Sequence, residues 1–243
     1  MRSTRILILV ELALAIALAV VLNFVQIRLP INFAGGSVNL SMLPLLVVAL
    51  RRGALAGAIA GVAFGCIDLL LEPYVLVPIQ VLLDYPLPYL LFGWGVGQFS
   101  PAYRKDANKD TPRAAVALVT KGSLLIVFAG IIGGLLRLIS HVVSGVFFFS
   151  EYAAEFFNDN PGMLQAGPTD TGINVWIYSL AYNIPYLTLS LIAVLICALV
   201  VMPVLAKAVP ARRWPAKPRA PKEPPAPKNP PAPKEPSTPK EPA

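Results

Sequence analysis

Six apolar runs, separated by short polar connections, set the pattern of the chain: near 5–27, 38–50, 54–71, 76–99, 114–148 and 173–206. Most are long enough to cross a hydrocarbon core of about 30 Å at about 1.5 Å of rise per residue. The pattern therefore predicts an all-α membrane protein, a six-transmembrane-helix bundle. The run 38–50 is short and follows a Gly-rich turn. The run 114–148 exceeds one straight crossing, which predicts tilt or projection. The first run follows Arg2 and Arg5 but is longer than the apolar core of a secretion signal, about 7–15 residues, and more spans follow it. It reads as the first crossing.

Charge orients these spans. Arg2 and Arg5 precede the first. Arg51 and Arg52 separate the second and third, and Arg104, Lys105, Lys109 and Arg113 the fourth and fifth. Lys207, Arg212, Arg213 and Lys217 follow the last. The alternate connections carry Glu72, or Glu151, Glu155, Asp159 and Asp170, with Arg28 the one basic exception. Lys and Arg mark the cytoplasmic side, so both termini are expected there, in a multi-pass protein of the cell membrane. At 56% hydrophobic and 14% charged residues, the composition is not that of a soluble domain. The net charge of +7 reflects topology and a basic tail, so it does not imply nucleic acid binding.

Residues 1–207 read as one membrane domain. Residues 208–243 read as a disordered, Pro/Lys-rich cytoplasmic tail, in which "PAPKNPPAPKEPSTPKEP" favours polyproline II and excludes a packed core. Such an arm suits anionic headgroups or a partner. Cys66 and Cys197 lie in apolar runs, and with a single histidine they give no metal-ligand spacing. No metal or cofactor is expected. No G-x-x-x-x-G-K-[ST] loop occurs, so any ATP use falls to another subunit.

The informative residues are polar groups inside the spans, where they are costly and mark function. On the predicted topology Asp84 lies about 12 Å from the outer surface, His141 about 13 Å, and Tyr178 and Asn183 about 8–15 Å. Acid, imidazole, phenol and amide thus converge on one layer, an outward-facing ligand pocket. Arg137, His141, Gly145 and Phe149 recur every four residues and share a helix face, as do Gln80 and Asp84. Gly145 leaves room beside His141. Tyr178 and Asn183 are five apart and do not share a face on a regular helix, but Pro185 follows and distorts that turn. An acid among aromatic rings suits a flat cation. Alternatively, Asp84, His141 and Arg137 satisfy one another in the bundle core. Asp68 is placed to pair with Arg137, Lys121 to snorkel, and Glu11 has no evident partner. Ala13/Ala17 and Ala15/Ala19 form overlapping small-xxx-small pairs on the first helix, suited to docking or to internal packing. Gly53, Gly57, Gly61 and Gly65 form a strip suited to internal packing. The turn 28–37 can move, and the acidic loop 150–172, with Tyr152, Phe156 and Phe157, reads as a lid or as disorder.

Four blocks, "GGSVNLSMLPLLVVALRRG" (35–53), "LLDYP" (82–86), "HVVSGVFFFSEYA" (141–153) and "YSLAYN" (178–183), resemble in order and spacing the thiamine-specific substrate-binding subunit of energy-coupling factor transporters. The resemblance spans about residues 5–206 and leaves out the tail. It implies a six-helix protein that captures thiamine from outside, pairs with a transmembrane coupling subunit and two cytoplasmic ATPases, and topples in the membrane. It implies ligand contacts at Asp84, Tyr85, Tyr74, His141, Gly145, Phe149, Tyr178 and Asn183, and coupling-subunit docking at Ala13 and Ala17. Asp84 stands where the family has glutamate and Phe149 where it has tryptophan. The family's first-loop tryptophan has no match around Phe33, Ala34 and Gly35.

The expected protein is a non-catalytic thiamine-binding subunit, with the turn 28–37 as gate. The alternatives are a subunit for a thiamine-precursor pyrimidine, or a stand-alone transporter relaying protons through Asp84 and His141. An intramembrane enzyme is disfavoured, because one histidine and scattered acids make no nucleophile or metal set.

Overall fold

The structure, a computed structural model, describes residues 2–28, 36–107, 112–159 and 172–208. Most of the turn 28–37, residues 160–171 of the acidic loop, and the tail from Val209 lie outside the described residues. The chain folds as helices with one short antiparallel hairpin. Helix α1 (Arg2–Phe24) leads into strands β1 (Ile27–Arg28) and β2 (Ser37–Val38), paired Ile27 to Val38. Then come α2 (Met42–Arg52), α3 (Ala54–Leu71), α4 (Pro78–Asp84), α5 (Pro86–Gly97), α6 (Ser100–Ala107), α7 (Pro112–Phe148), α8 (Tyr152–Asp159) and α9 (Gly172–Ala208).

Among the described residues, four helices are long and apolar enough to cross a membrane, over Ile6–Phe24, Ala54–Leu71, Lys121–Phe148 and Gly172–Ala206. Their outward side chains, such as Leu14, Leu70, Phe147 and Val200, are apolar and exposed, as a lipid-facing surface requires. The 37 residues of α7 extend over about 55 Å, well beyond a hydrocarbon core, which matches the projection expected of this run. Helix α2 has 11 residues, too few for a straight crossing of about 20. Nearly all its side chains are buried, so it is a core helix sheathed by its neighbours.

The run 76–99 is not the single span expected. It breaks at Tyr85, because Pro86 has no N–H to continue the ladder and disfavours helical backbone in the residue before it. Each piece opens on a proline, Pro78 and Pro86, where the missing donor is harmless. Ser140 of α7 donates to the Leu83 carbonyl at 2.8 Å, satisfying a backbone group beside the break. Asp84 is consequently the last residue of a short helix, not a mid-span residue.

The glycine strip of α3 packs internally, as expected. A methyl at Gly57 would collide with the Gly93 carbonyl of α5, and one at Gly61 with the Tyr89 carbonyl. The two backbones lie in direct contact, which only small residues permit. Ala15 and Ala19 of α1 pack into the core, whereas Ala13 and Ala17 are exposed on its other side.

Glu11 does have partners, contrary to the sequence reading. It accepts from Arg51 Nε at 3.0 Å and pairs with Arg52, both at the C-terminal end of α2. Arg51 also donates to the Leu205 carbonyl of α9 at 3.4 Å. The sequence separation hid this pairing of α1 with α2. Glu11→Ala removes a carboxylate from two buried guanidinium groups. It is expected to lower the thermal unfolding midpoint in detergent by several degrees, and Glu11→Asp by less. Lys121 is exposed, as snorkelling requires.

Candidate functional site

At the end of the bundle opposite Arg51 and Arg52, the helices enclose a cavity of about 550 Å³. This lies within the usual range for small-molecule sites. All eight residues predicted to bind ligand line it: Asp84, Tyr85, Tyr74 and His141, and also Gly145, Phe149, Tyr178 and Asn183. The four-residue spacing on α7 explains part of this, since Arg137, His141, Gly145 and Phe149 all face the cavity.

Asp84 accepts from Gln80 Nε2 at 2.6 Å, the i, i+4 pair expected on α4. Its other oxygen lies 3.6 Å from His141 Nδ1. A carboxylate offers about four acceptor positions, so capacity remains towards the hollow. Gln80 is buried and anchors the preceding connection, accepting from the Leu76 N–H at 3.1 Å and donating to the Tyr74 carbonyl at 3.3 Å. The Tyr85 hydroxyl accepts from the Tyr74 N–H and donates to the Glu72 carbonyl, each at 2.8 Å. The helix break at Tyr85 thus turns its ring onto the segment that carries Tyr74.

Tyr74 stacks on Phe149 with centroids 5.9 Å apart and planes 21° apart. Its hydroxyl shares a hydrogen bond with Tyr152 of α8 at 3.2 Å. That bond, with some desolvation, raises the Tyr74 phenol above its ordinary range. Phe156 and Phe157 are buried against Tyr178, so residues 152–159 of the acidic loop form a packed helix.

On α9 the cavity meets Tyr178, Ser179, Tyr182, Asn183 and Tyr186. These recur at i, i+1, i+4, i+5 and i+8, a broad helical face. Tyr178 and Asn183 stand at its two edges, which is how residues five apart reach one hollow. Pro185 lies inside α9 and cannot donate to the Ala181 carbonyl. Asn183 accepts from the Tyr186 hydroxyl at 2.7 Å and donates to the Ser179 carbonyl at 2.8 Å. Tyr182 and Tyr186 escaped the sequence reading, although the period of four from Tyr178 carried the signal. The space at Gly145 is partly taken by α9: a methyl there would strike the Ser179 hydroxyl. Gly145 therefore brings α7 and α9 together as well as lining the cavity.

Arg137 does not pair directly with Asp68. Its Nη2 donates to the Tyr89 hydroxyl at 3.1 Å, its guanidinium lies 4.3 Å from the Tyr89 ring centroid, and Tyr89 donates to Asp68 at 3.2 Å. Arg137 Nε also approaches His141 Nε2 at 3.4 Å. Asp84, His141 and Arg137 do interact, as the packing alternative held, yet all three border open space. Among the described residues no cluster of His, Cys, Asp or Glu is arranged to hold a metal ion.

Apolar helices long enough to cross a membrane, around a polar, aromatic-walled hollow, define a class, the multi-pass helical membrane proteins with a cavity at one end of the bundle. The family model described as "Thiamine transporter protein" matches residues 9–160, and the chain belongs to that family. It is 34% identical over 202 residues to thiamine transporter ThiT of Bacillus subtilis, covering 82% of this chain and 90% of the relative. It is 28% identical over 184 residues to thiamine transporter ThiT of Lacticaseibacillus paracasei, covering 74% and 78%. Its fold resembles the solved structure of ThiT from Listeria monocytogenes, with a TM-score of 0.62 and 27% identity over 85% of this chain and 97% of that one. The protein is a transporter-family member and not an enzyme.

Proposed function

We propose that the protein is the thiamine-capturing membrane subunit of an energy-coupling factor importer. The observation that carries this reading is the cavity's charge and shape. Three carboxylates, Asp68, Glu72 and Asp84, and one guanidinium, Arg137, line the cavity among stacked rings. The lining carries an excess of formal negative charge, which suits a flat cation. Thiamine offers a cationic thiazolium and an aminopyrimidine, and the names of the relatives support it.

In this reading Asp84 accepts hydrogen bonds from the aminopyrimidine and Phe149 stacks on a ring. His141, Tyr178 and Asn183 bind the remaining polar groups, and Tyr74, Tyr85 and Gly145 shape the wall. The chain crosses the membrane six times, counting α2 and the broken α4–α5 unit, with both termini cytoplasmic, as the alternating basic connections indicate. Residues 1–207 form the membrane domain and 208–243 a cytoplasmic tail. The exposed Ala13 and Ala17 receive the coupling subunit, which in turn carries two ATPases.

Competition calorimetry on the purified chain tests ligand choice. Thiamine is expected to bind one to one, and the bare hydroxymethyl aminopyrimidine to compete only in large excess. Equal competition favours the precursor, and proton-driven uptake by this chain alone in vesicles favours a self-sufficient transporter. Phe149→Leu keeps apolar bulk but loses stacking, so it is expected to weaken thiamine binding about fivefold. Unchanged affinity in the same titration removes Phe149 from the site.

A further inference from the structure

A line of hydrogen bonds, with side branches to Ser37 and His141, crosses the bundle at the cavity. From Arg137 on α7 it passes to Tyr89 on α5 at 3.1 Å and to Asp68 on α3 at 3.2 Å. The other Asp68 oxygen accepts from Asn23 Nδ2 of α1 at 2.7 Å. Asn23 Oδ1 accepts from Asn39 Nδ2, just after β2, at 3.0 Å. The Asn39 N–H donates to Ser190 of α9 at 3.3 Å, and its Oδ1 accepts from the Ser41 N–H at 3.1 Å. Asn23, Asn39, Asp68, Tyr89 and Arg137 all line the cavity.

This line matters because the side chains next to Asn23 add little apolar packing at that wall. Around Asn23, the side chains Phe24, Val25 and Ile27 are exposed and contribute no core packing. Gln26, which donates to Glu72 at 2.8 Å, adds a tie to the residue that caps α3. Buried hydrogen-bonded groups are costly to separate, and networks of them act together. We infer that Asp68 is a positioning residue for ligand retention. Through Asn23 and Asn39 it holds the end of α1 and the segment before α2 against the α5–α7 side, so the cavity keeps its shape around a bound molecule. The inference takes its ligand from the proposed thiamine reading, while the wall itself can be tested without one.

The test uses the full chain in detergent with Asn23→Ala, Asp68→Ala and the double variant. Each single change is expected to speed thiamine dissociation about tenfold in stopped-flow measurements without slowing association. The double variant is expected to match the singles, because one link is broken in all three. Multiplying rates, or a loss confined to association, overturn the inference. Mere destabilisation would lower the unfolding midpoint and leave the rates of the folded fraction alone. Hydrogen exchange on ligand-free protein forms the second arm. The Asn39 and Ser41 amides are expected to exchange faster in Asn23→Ala and in Asp68→Ala, and unchanged exchange overturns the inference even where thiamine binds. A wild-type chain that ignores thiamine but shows the exchange effect sinks the ligand reading and leaves the wall intact.

Discussion

Asp84→Ala is expected to weaken thiamine binding by about 100-fold or more, the largest loss for any single cavity side chain. The change removes a charge-assisted acceptor, worth about 1.5–3 kcal/mol. It also removes one of the three carboxylates, Asp68, Glu72 and Asp84, that share the cavity lining with Arg137. Gln80, which donates to Asp84 at 2.6 Å, loses its partner, but it retains the Leu76 and Tyr74 backbone groups, so the fold survives. Asp84→Asn keeps the shape and one acceptor oxygen, and falls between wild type and alanine. Titration calorimetry with a thermal melt as control checks both. Wild-type affinity in Asp84→Ala means that the acid only serves packing.

The second large effect concerns the scaffold. Gly61→Ala is expected to destabilise the protein by about 1–3 kcal/mol, at the upper end of that range. The added methyl meets the Tyr89 backbone carbonyl, which cannot rotate aside as a flexible side chain would. Helices α3 and α5 must then separate, moving Tyr89, which joins Arg137 to Asp68. Thiamine binding is expected to weaken with stability. Gly57 and Gly93 meet each other reciprocally, so their alanine variants are expected to be non-additive. Thermal midpoints in one detergent read all three, and an unchanged midpoint for Gly61→Ala contradicts the close contact.

Much of this was legible in the sequence, for identifiable reasons. Hydropathy found α1, α3, α7 and α9 because each is long and carries few charges. The spacing Arg137, His141, Gly145, Phe149 placed α7 correctly because a regular helix converts a period of four into one face. Hydropathy could not separate α2, buried all round, from a lipid-exposed span. It also passed over Tyr85–Pro86, where backbone chemistry breaks an unbroken apolar run. Glu11 looked unpartnered because Arg51 and Arg52 lie 40 and 41 residues away. Asp68 was matched to the right cation, but the mediating Tyr89 could be seen only once α3 and α5 were in contact. Residues 152–159 read as loop, although Phe156 and Phe157 next to Ala153 gave an amphipathic turn that packs on α9.

Native mass spectrometry of the wild-type chain, released from detergent after extraction from thiamine-containing cells, tests the central claim most directly. One adduct with the mass of a single thiamine is expected, and it is expected to be absent from Asp84→Ala prepared in the same way. A wild-type spectrum without that adduct after added thiamine, or one that Asp84→Ala reproduces, contradicts the account.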